Sequence, residues 1–185
     1  MKIGLIYGSD TGNTEYVAEM LQKKWGETLV DVHNIFNTDV SVFERYDMLI
    51  LGIPTWYDGE MQSDWGDKMD QLDMIDFSDR IVAIYGLGDQ QDWGEYFVDG
   101  MGALARKVLA LGARLIGRWP TDGYYFRDSQ AVAEDGRFYG LALDEDRQPE
   151  LTEERIRSWT AQIKKELAAA GFDAWDESLP LQKAV

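Results

Sequence analysis

The chain has 185 residues, which suits a single domain with one sizeable hydrophobic core. It carries 34 acidic and 18 basic side chains, and the resulting net charge of −16 disfavours binding to nucleic acid and to anionic membranes. Cysteine is absent, which excludes disulfides, thiolate metal sites and cysteine nucleophiles and fits a reducing cytoplasm. We therefore expect a cytoplasmic monomer that binds neither nucleic acid nor membranes.

The N-terminal residues and the single histidine argue against further classes of protein, namely secreted, membrane-spanning and metal-binding proteins. Lys2–Tyr7 has the length of a strand and lacks the features of a secretory signal, and no apolar run approaches the ~18 residues of a membrane span. His33 is predicted to be a surface or hydrogen-bonded residue. With one histidine and no cysteine we expect no metal site and no catalytic triad.

Short apolar runs alternate with amphipathic stretches through most of the chain. Lys2–Tyr7 is apolar and ends at a glycine, which is typical of a buried strand. Val17, Met20 and Leu21 recur at a spacing of three to four residues, which predicts a helix. The predicted strands are Lys2–Tyr7, Leu29–His33, Met48–Ile53 (stopped by Pro54) and Ile81–Tyr85, and the predicted helices are Asn13–Trp25 and Gly94–Leu111.

The pattern changes after a fifth strand begins at Arg114–Gly117. Trp119–Arg137 is polar and aromatic and has no helical period, and Phe138–Leu143 then resumes a strand pattern. Leu151–Ala170 is predicted to be the last helix. Residues 1–170 are thus expected to form one domain, followed by a loosely attached tail at 171–185, or a tail that packs through Trp175 and Leu179–Leu181.

Five strands that alternate with helices predict an α/β fold, in which a doubly wound parallel sheet is covered on both faces. Ligands of such sheets bind at the carboxyl ends of the strands. Three loops of unusual composition leave those ends, namely Gly8–Thr14, Pro54–Gly59 and Gly86–Trp93.

The first of these loops has the composition of a phosphate site. Ser9, Thr11 and Thr14 offer hydroxyl groups, Gly12 allows close approach of the backbone, and the helix that follows directs its free N–H groups at the loop. The loop matches neither a Walker A motif nor a dinucleotide fingerprint, which favours a monophosphate. The alternative is a helix cap rich in Ser and Thr, and Asp10 fits a phosphate only if its side chain turns to solvent.

A large aromatic side chain stands in each of the other two loops. Trp56 follows the third strand and Trp93 follows the fourth, so the two indoles are placed to hold a flat ring between them. A phosphate joined to a planar ring indicates flavin mononucleotide (FMN).

These residues resemble the three flavin loops of flavodoxins. The matching segments are Ser9–Thr14, Pro54–Trp56 with Gly59 and Glu60, Gly86–Gln90, Trp119–Tyr124 and Gly140–Asp146. The resemblance runs from about Lys2 to Ala170, and it implies a flavodoxin-like three-layer fold of five parallel strands. The break at Trp119–Arg137 resembles the insertion that splits the fifth strand in long-chain members.

The resemblance also implies roles for individual residues. Trp56 covers one flavin face, and Trp93 stands where most members have Tyr, a departure that leaves the cofactor affinity open. Tyr57 and Asp58 match the peptide that reorients when flavin N5 gains a proton. The cofactor-binding residues implied are Ser9, Asp10, Thr11, Gly12, Asn13, Thr14, Pro54, Thr55, Trp56, Tyr57, Asp58, Gly59, Leu87, Gly88, Asp89, Trp93, Tyr96 and Asp146.

The function expected of such a protein is low-potential one-electron transfer, not catalysis of a substrate reaction. Acidic residues in or near the loops are expected to place negative charge around the flavin: Asp58, Glu60, Asp64, Asp67, Asp89, Asp92, Glu95 and Asp146. They would disfavour a reduced anionic ring. The implied partners are a donor of the flavodoxin/ferredoxin-NADP reductase type and redox-enzyme acceptors with basic docking patches.

Two other functions are compatible with this fold. An FMN-dependent NAD(P)H or quinone reductase needs an open flavin face, against which Trp56 and Trp93 argue. A receiver-type signalling domain needs an acidic pair after the first strand and a phosphoacceptor Asp after the third, where this chain has Gly8-Ser9 and Pro54-Thr55.

Overall fold

We describe a computed structural model of the chain, which covers residues 1–78 and 80–172. From residue 173 onward the predicted tail, with Trp175 and Leu179–Leu181, lies outside the described residues. Within them, no helix combines the length and the apolar character that crossing a membrane requires.

The described residues form seven strands and four α-helices. In chain order these are β1 (Ile3–Tyr7), α1 (Asn13–Trp25), β2 (Val30–Asn34), β3 (Met48–Trp56), β4 (Glu60–Met61), α2 (Ser63–Met69), β5 (Ile81–Leu87), α3 (Asp99–Ala110), β6 (Arg114–Ile116), β7 (Leu141–Leu143) and α4 (Thr152–Ala169). Short 3-10 turns occupy Ile35–Asn37, Val40–Arg45, Gln71–Met74 and Pro149–Leu151.

The strands form one twisted sheet in the order β2-β1-β3-β5-β6, and these neighbours are all parallel. β6 pairs with Ile81–Ala83 of β5, and β7 pairs in parallel with Tyr85–Leu87 of the same strand. The fifth position of the sheet is therefore shared by two short strands, with segment 117–140 between them. Its correspondence to the insertion of long-chain flavodoxins stays a prediction.

Apolar side chains fill both faces of the sheet, as predicted for a three-layer fold. One face packs against α1 and α4, whose buried residues include Leu21 and Trp159. The other packs against α2 and α3 through residues such as Trp65 and Leu104. Burial on both faces explains why β1, β3 and β5 read as nearly continuous apolar runs.

The prediction that the third strand stops at Pro54 is wrong, because the strand continues to Trp56. The N–H of Gly8 donates to the carbonyl of Gly52, so the backbone polar groups of Gly52 point toward β1. Pro54, two residues on, faces the same side, beyond the end of β1. Its missing N–H therefore costs no ladder bond, which is why the proline is accepted within this strand.

The helix predicted from Gly94 begins only at Asp99. Phe97 and Val98 are buried, so they extend the apolar pattern of the helix toward its N-terminus. Val98, however, has φ of 53°, a left-handed conformation that an α-helix does not contain. Residues 89–98 form turns instead, and they bring Trp93 to the carboxyl ends of the strands.

His33 lies on β2, at the edge of the sheet. A hydrogen bond of 2.6 Å joins its Nε2 to the hydroxyl of Tyr46, which donates to Asp31 at 3.1 Å. Burial lowers the pKa of His33. The histidine is thus hydrogen-bonded within the fold, as predicted.

Candidate functional site

A cleft of about 630 Å³ opens at the carboxyl ends of β1, β3 and β5. It is lined by residues from all three predicted loops and from the segment that follows β7. The lining residues are Asp10, Thr11, Asn13, Thr14, Pro54, Thr55, Trp56, Tyr57, Leu87, Gly88, Asp89, Asp92, Trp93, Asp146 and Arg147. The topology therefore brings together side chains that are far apart in sequence, at the place where a doubly wound sheet binds its ligand.

The loop between β1 and α1 forms one wall of the cleft. Gly12 caps α1 with φ of 94°, and no side chain accepts a hydrogen bond from the first turn of the helix. The Ser9 hydroxyl instead accepts the N–H of Gly12 within the loop, at 3.1 Å. The helix thus presents N–H groups of its first turn without a capping side chain, which is the arrangement of an anion site.

Two hydrogen bonds from distant parts of the chain hold this loop in place. The hydroxyl of Tyr85, buried in the core, donates to the carbonyl of Thr14 at 3.0 Å. Asp10 is exposed, and its carboxylate accepts a hydrogen bond of 3.1 Å from Gln62, which is fully buried. Gln62 thereby turns the Asp10 side chain toward α2. Sequence reasoning missed this glutamine, which is distant from the loop in sequence.

Aromatic side chains form the opposite part of the cleft. Trp56 ends β3, and its indole N–H is buried with no hydrogen-bond partner among the described residues. The ring of Tyr57 lies 6.2 Å from that of Trp56 and 5.9 Å from that of Trp93, in tilted and edge-on geometry. Both predicted tryptophans line the cleft, and Tyr57 contacts each of them.

Tyr57 has an uncommon backbone conformation. Its φ is 41°, in the left-handed region that favours glycine, and its side chain is 61% exposed. Its carbonyl accepts the N–H of Gly59 at 2.8 Å. The peptide between Tyr57 and Asp58 is thus fixed by a local hydrogen bond in a strained turn, which is a common feature of functional sites.

The turn from Asp89 to Trp93 depends on one carboxylate. Asp89 accepts the N–H groups of Gln91 and Asp92 at 2.8 and 3.0 Å, and the guanidinium of Arg147 at 2.9 Å. Burial works against ionisation of Asp89, but these hydrogen bonds prevail and lower its pKa. Asp92 and Arg147 line the cleft although sequence reasoning did not assign them to the cofactor site.

Asp144 anchors the same turn from inside the protein. It is fully buried and accepts hydrogen bonds from the backbone N–H and the side-chain amide of Gln90, at 3.0 and 2.8 Å. The N–H groups of Asp146 and Arg147 donate to its other oxygen at 3.2 and 2.9 Å. Gln90 also accepts the N–H of Tyr125 at 2.6 Å, which joins segment 117–140 to the turn.

Some predicted site residues lie next to the cleft and do not line it. Gly59 packs against Asp99 and Tyr96, since a Cβ at Gly59 would lie 2.9 Å from the Asp99 carboxylate and 3.3 Å from the Tyr96 ring. Burial raises the pKa of Asp99, which is held by Gln130 at 2.7 Å. The predicted residues outside the lining are Ser9, Gly12, Asp58, Gly59 and Tyr96.

The negative charge predicted around the cofactor is partly compensated. Asp89 and Asp92 are paired with Arg147, and Glu95 is paired with Arg127 at 3.2 Å. Asp146 differs, because burial and then the nearby Asp89 and Asp144 raise its pKa.

The comparisons with known proteins assign the family. The family model described as Flavodoxin matches residues 5–159 of the chain. This chain belongs to the flavodoxin family. It is 51% identical over 164 residues to flavodoxin 1 of Escherichia coli K12, which covers 89% of this chain and 93% of that one. It is 52% identical over 164 residues to the flavodoxin of a Synechocystis species, covering 88% of this chain and 96% of that protein.

Solved flavodoxin structures share this fold. The crystal structure of Fusobacterium nucleatum flavodoxin bound to flavin mononucleotide superposes with a TM-score of 0.84 at 35% identity, and covers 89% of this chain and 98% of that one. Oxidised flavodoxin 1 of Bacillus cereus gives a TM-score of 0.68 at 26% identity, with 89% and 98% covered. The resemblance noted from the loop residues, and the predicted flavodoxin-like fold, are therefore confirmed.

Proposed function

We propose that this flavodoxin binds FMN non-covalently in the cleft and carries single electrons between a reductase and acceptor enzymes. The observation that carries the proposal is the pairing of an uncapped helix N-terminus with two tryptophans in one cleft of about 630 Å³. Such a cleft suits a ligand with a phosphate at one end and a planar ring at the other.

The phosphate would be held without a cation. The hydroxyls of Ser9, Thr11 and Thr14 and the N–H groups of the first turn of α1 supply donors, and Gly8–Thr14 contains no Lys or Arg. The N–H of Gly12 donates to the Ser9 oxygen in this structure, which leaves the Ser9 O–H free to donate to a phosphate. The Gly12 N–H itself could bind the phosphate only after the Ser9 side chain rotates away. A dianion bound only by neutral donors leaves its own charge next to the flavin.

The ring would lie against Trp56 and Trp93. Asp146 lies on the same cleft, where the family resemblance places a contact to the ribityl chain. The match to an F. nucleatum flavodoxin that binds FMN supports this assignment.

When bound, FMN would supply the redox chemistry, and the protein would tune it. The aromatic side chains exclude water from the ring. The carboxylates near the cleft oppose the gain of negative charge on reduction, which lowers the potential for the second electron. The acidic surface, with its net charge of −16, would dock basic patches of a reductase-type donor and of acceptor enzymes in the cytoplasm.

The test is reconstitution of the apoprotein with FMN. We expect one FMN per chain, a flavin absorbance spectrum and quenching of FMN fluorescence, with no direct oxidation of NADPH by the holoprotein. With an added reductase, electron transfer should slow as ionic strength rises, because screening weakens docking between opposite charges. Failure to retain FMN would contradict the proposal, and rapid NADPH oxidation without a partner would favour the reductase alternative.

A further inference from the structure

Arg147 is the only cation among the described residues that line the cleft. The other charged side chains of the lining are Asp10, Asp89, Asp92 and Asp146. A lone cation among four carboxylates, at the edge of a redox site, affects both the shape and the charge of that site.

The guanidinium of Arg147 is bound by two carboxylates of the turn that bears Trp93. Its Nε lies 3.2 Å from each oxygen of Asp89, and its Nη2 lies 2.9 Å from Oδ2 of Asp89 and 2.5 Å from Asp92. These contacts join residues 55 and 58 positions apart in the chain. The Arg–Asp89 pair is bidentate, a geometry that lysine does not reproduce.

Hydrogen bonds within the turn connect the Arg147–Asp89 pair to Trp93. Oδ1 of Asp89, one of the two oxygens that Nε of Arg147 approaches, also accepts the N–H groups of Gln91 and Asp92. The carbonyl of Asp89 then accepts the N–H of Trp93 at 3.3 Å. Arg147 therefore orients the carboxylate on which this turn is built.

The same guanidinium compensates charge. Its hydrogen bonds contribute to the lowered pKa of Asp89. For Asp146, where burial raises the pKa most, Arg147 is the neighbour that acts in the opposite direction. Without it, three carboxylates along this side of the cleft would face bound FMN with no counter-charge.

We propose that Arg147 is a positioning residue for FMN, which holds the Trp93 turn closed and also raises the potential at which the flavin accepts its second electron. The proposal rests on the proposed function, since it concerns FMN in the same cleft. It assigns one side chain two separable effects: its bidentate geometry sets affinity, and its charge sets potential.

Two substitutions separate these effects. Arg147→Gln removes both the charge and the bidentate pair with Asp89. The dissociation constant for FMN should therefore rise by roughly tenfold, and the potential for the second electron should become more negative. Arg147→Lys keeps the charge but loses the bidentate pair. It should bind FMN more weakly than the wild type yet keep a potential close to that of the wild type.

The measurements are fluorescence titration of each apoprotein with FMN and reductive titration of each holoprotein. Arg137→Gln is the control, because Arg137 also pairs with an aspartate, Asp135, but lies outside the lining of the cleft. It should leave both quantities unchanged. Raising the salt concentration should shrink the difference in potential between the wild type and Arg147→Gln, because the Arg147 guanidinium is about one-third exposed and is partly screened.

The result that overturns the proposal is an Arg147→Gln protein whose affinity and potential match those of Arg137→Gln. If Arg147→Lys and Arg147→Gln lower the potential equally, the charge of Arg147 does not determine the potential, and that part of the proposal is wrong. If the Gln variant does not fold, Arg147→Lys alone decides, since it must lose affinity while its potential is kept. A wild-type chain that retains no FMN would instead refute the proposed function.

Discussion

The loop Ser9–Thr14 and the turn Asp89–Trp93 line the same cleft but are held in different ways. The backbone turn of the loop is closed by neighbours in sequence, since Ser9 accepts the N–H of Gly12 three residues on and α1 follows at once. Its two distant contacts, from Tyr85 and Gln62, reach only the Thr14 carbonyl and the Asp10 side chain. The turn is held by Asp144 and Arg147, which lie 54 and 58 residues from their partners Gln90 and Asp89. Changes in the loop should therefore affect binding alone, whereas changes to the buried support of the turn, Asp144, should also lower the stability of the protein.

The largest effect is expected for Asp144→Ala. The substitution leaves four donors without an acceptor, two of them on Gln90, so the free energy of unfolding of the apoprotein should fall by roughly 3–5 kcal/mol. Urea unfolding measures it, with the exposed Asp122→Ala as control. A loss below about 1 kcal/mol would mean that the turn does not depend on its buried carboxylate.

Thr14→Val tests the opposite behaviour in the loop. Thr14 is buried at the first turn of α1, and valine has nearly the same shape without the hydroxyl. The dissociation constant for FMN should rise roughly tenfold, while the stability of the apoprotein changes by less than about 0.5 kcal/mol. Thr160→Val, which removes a buried hydroxyl of α4 with no hydrogen-bond partner in the described part of the chain, should leave FMN binding unchanged. Equal affinities for both variants would contradict a role of the loop in binding phosphate.

The strain at Tyr57 is tested by comparing glycine with alanine. Because φ is 41°, Tyr57→Gly should be more stable than Tyr57→Ala by about 1 kcal/mol, measured by urea unfolding. At Tyr125, which is exposed and has an ordinary φ, the order should reverse, because glycine there only adds entropy to the unfolded chain. The same order at both positions would show that the turn carries no strain.

The smallest effect concerns pH and Asp99. Burial raises its pKa above the usual 3.8, so between 3.8 and the raised value the folded chain binds more protons than the unfolded chain. The stability that Asp99 contributes should therefore fall as pH rises through that window. Unfolding of the wild type and of Asp99→Asn across this pH range should show the wild type losing stability relative to the variant. Parallel pH profiles would contradict the raised pKa.

The sequence was sufficient to predict what depends on neighbouring residues. Apolar runs ending in glycine located β1 and β5, the spacing of Val17 and Leu21 located α1, and the Ser- and Thr-rich loop located one wall of the cleft. Trp56 and Trp93 could be placed together because the ends of parallel strands meet at one edge of a sheet.

The remainder depends on contacts between distant residues. Gln62, Gln90 and Asp144 are ordinary polar residues in sequence, and only the fold buries them against each other and the loops. Arg147 follows Asp146 directly, yet its partners lie in another loop. The left-handed turn at Val98 was also missed, because a buried valine reads as part of the helix that follows it.

The shared fifth position of the sheet makes the register of the strands independent of segment 117–140. Ile116 ends β6 opposite Ala83, and Leu141 begins β7 opposite Tyr85, so only one position of β5 separates the two pairings. A single residue could bridge that gap and leave the strand in register. A chain shortened in this way would keep the strand register but lose the core side chains of Tyr124 and Phe138 and the anchors that the segment gives to the cleft through Gln90 and Asp99. The segment thus extends the core and braces the site without setting the register of the sheet.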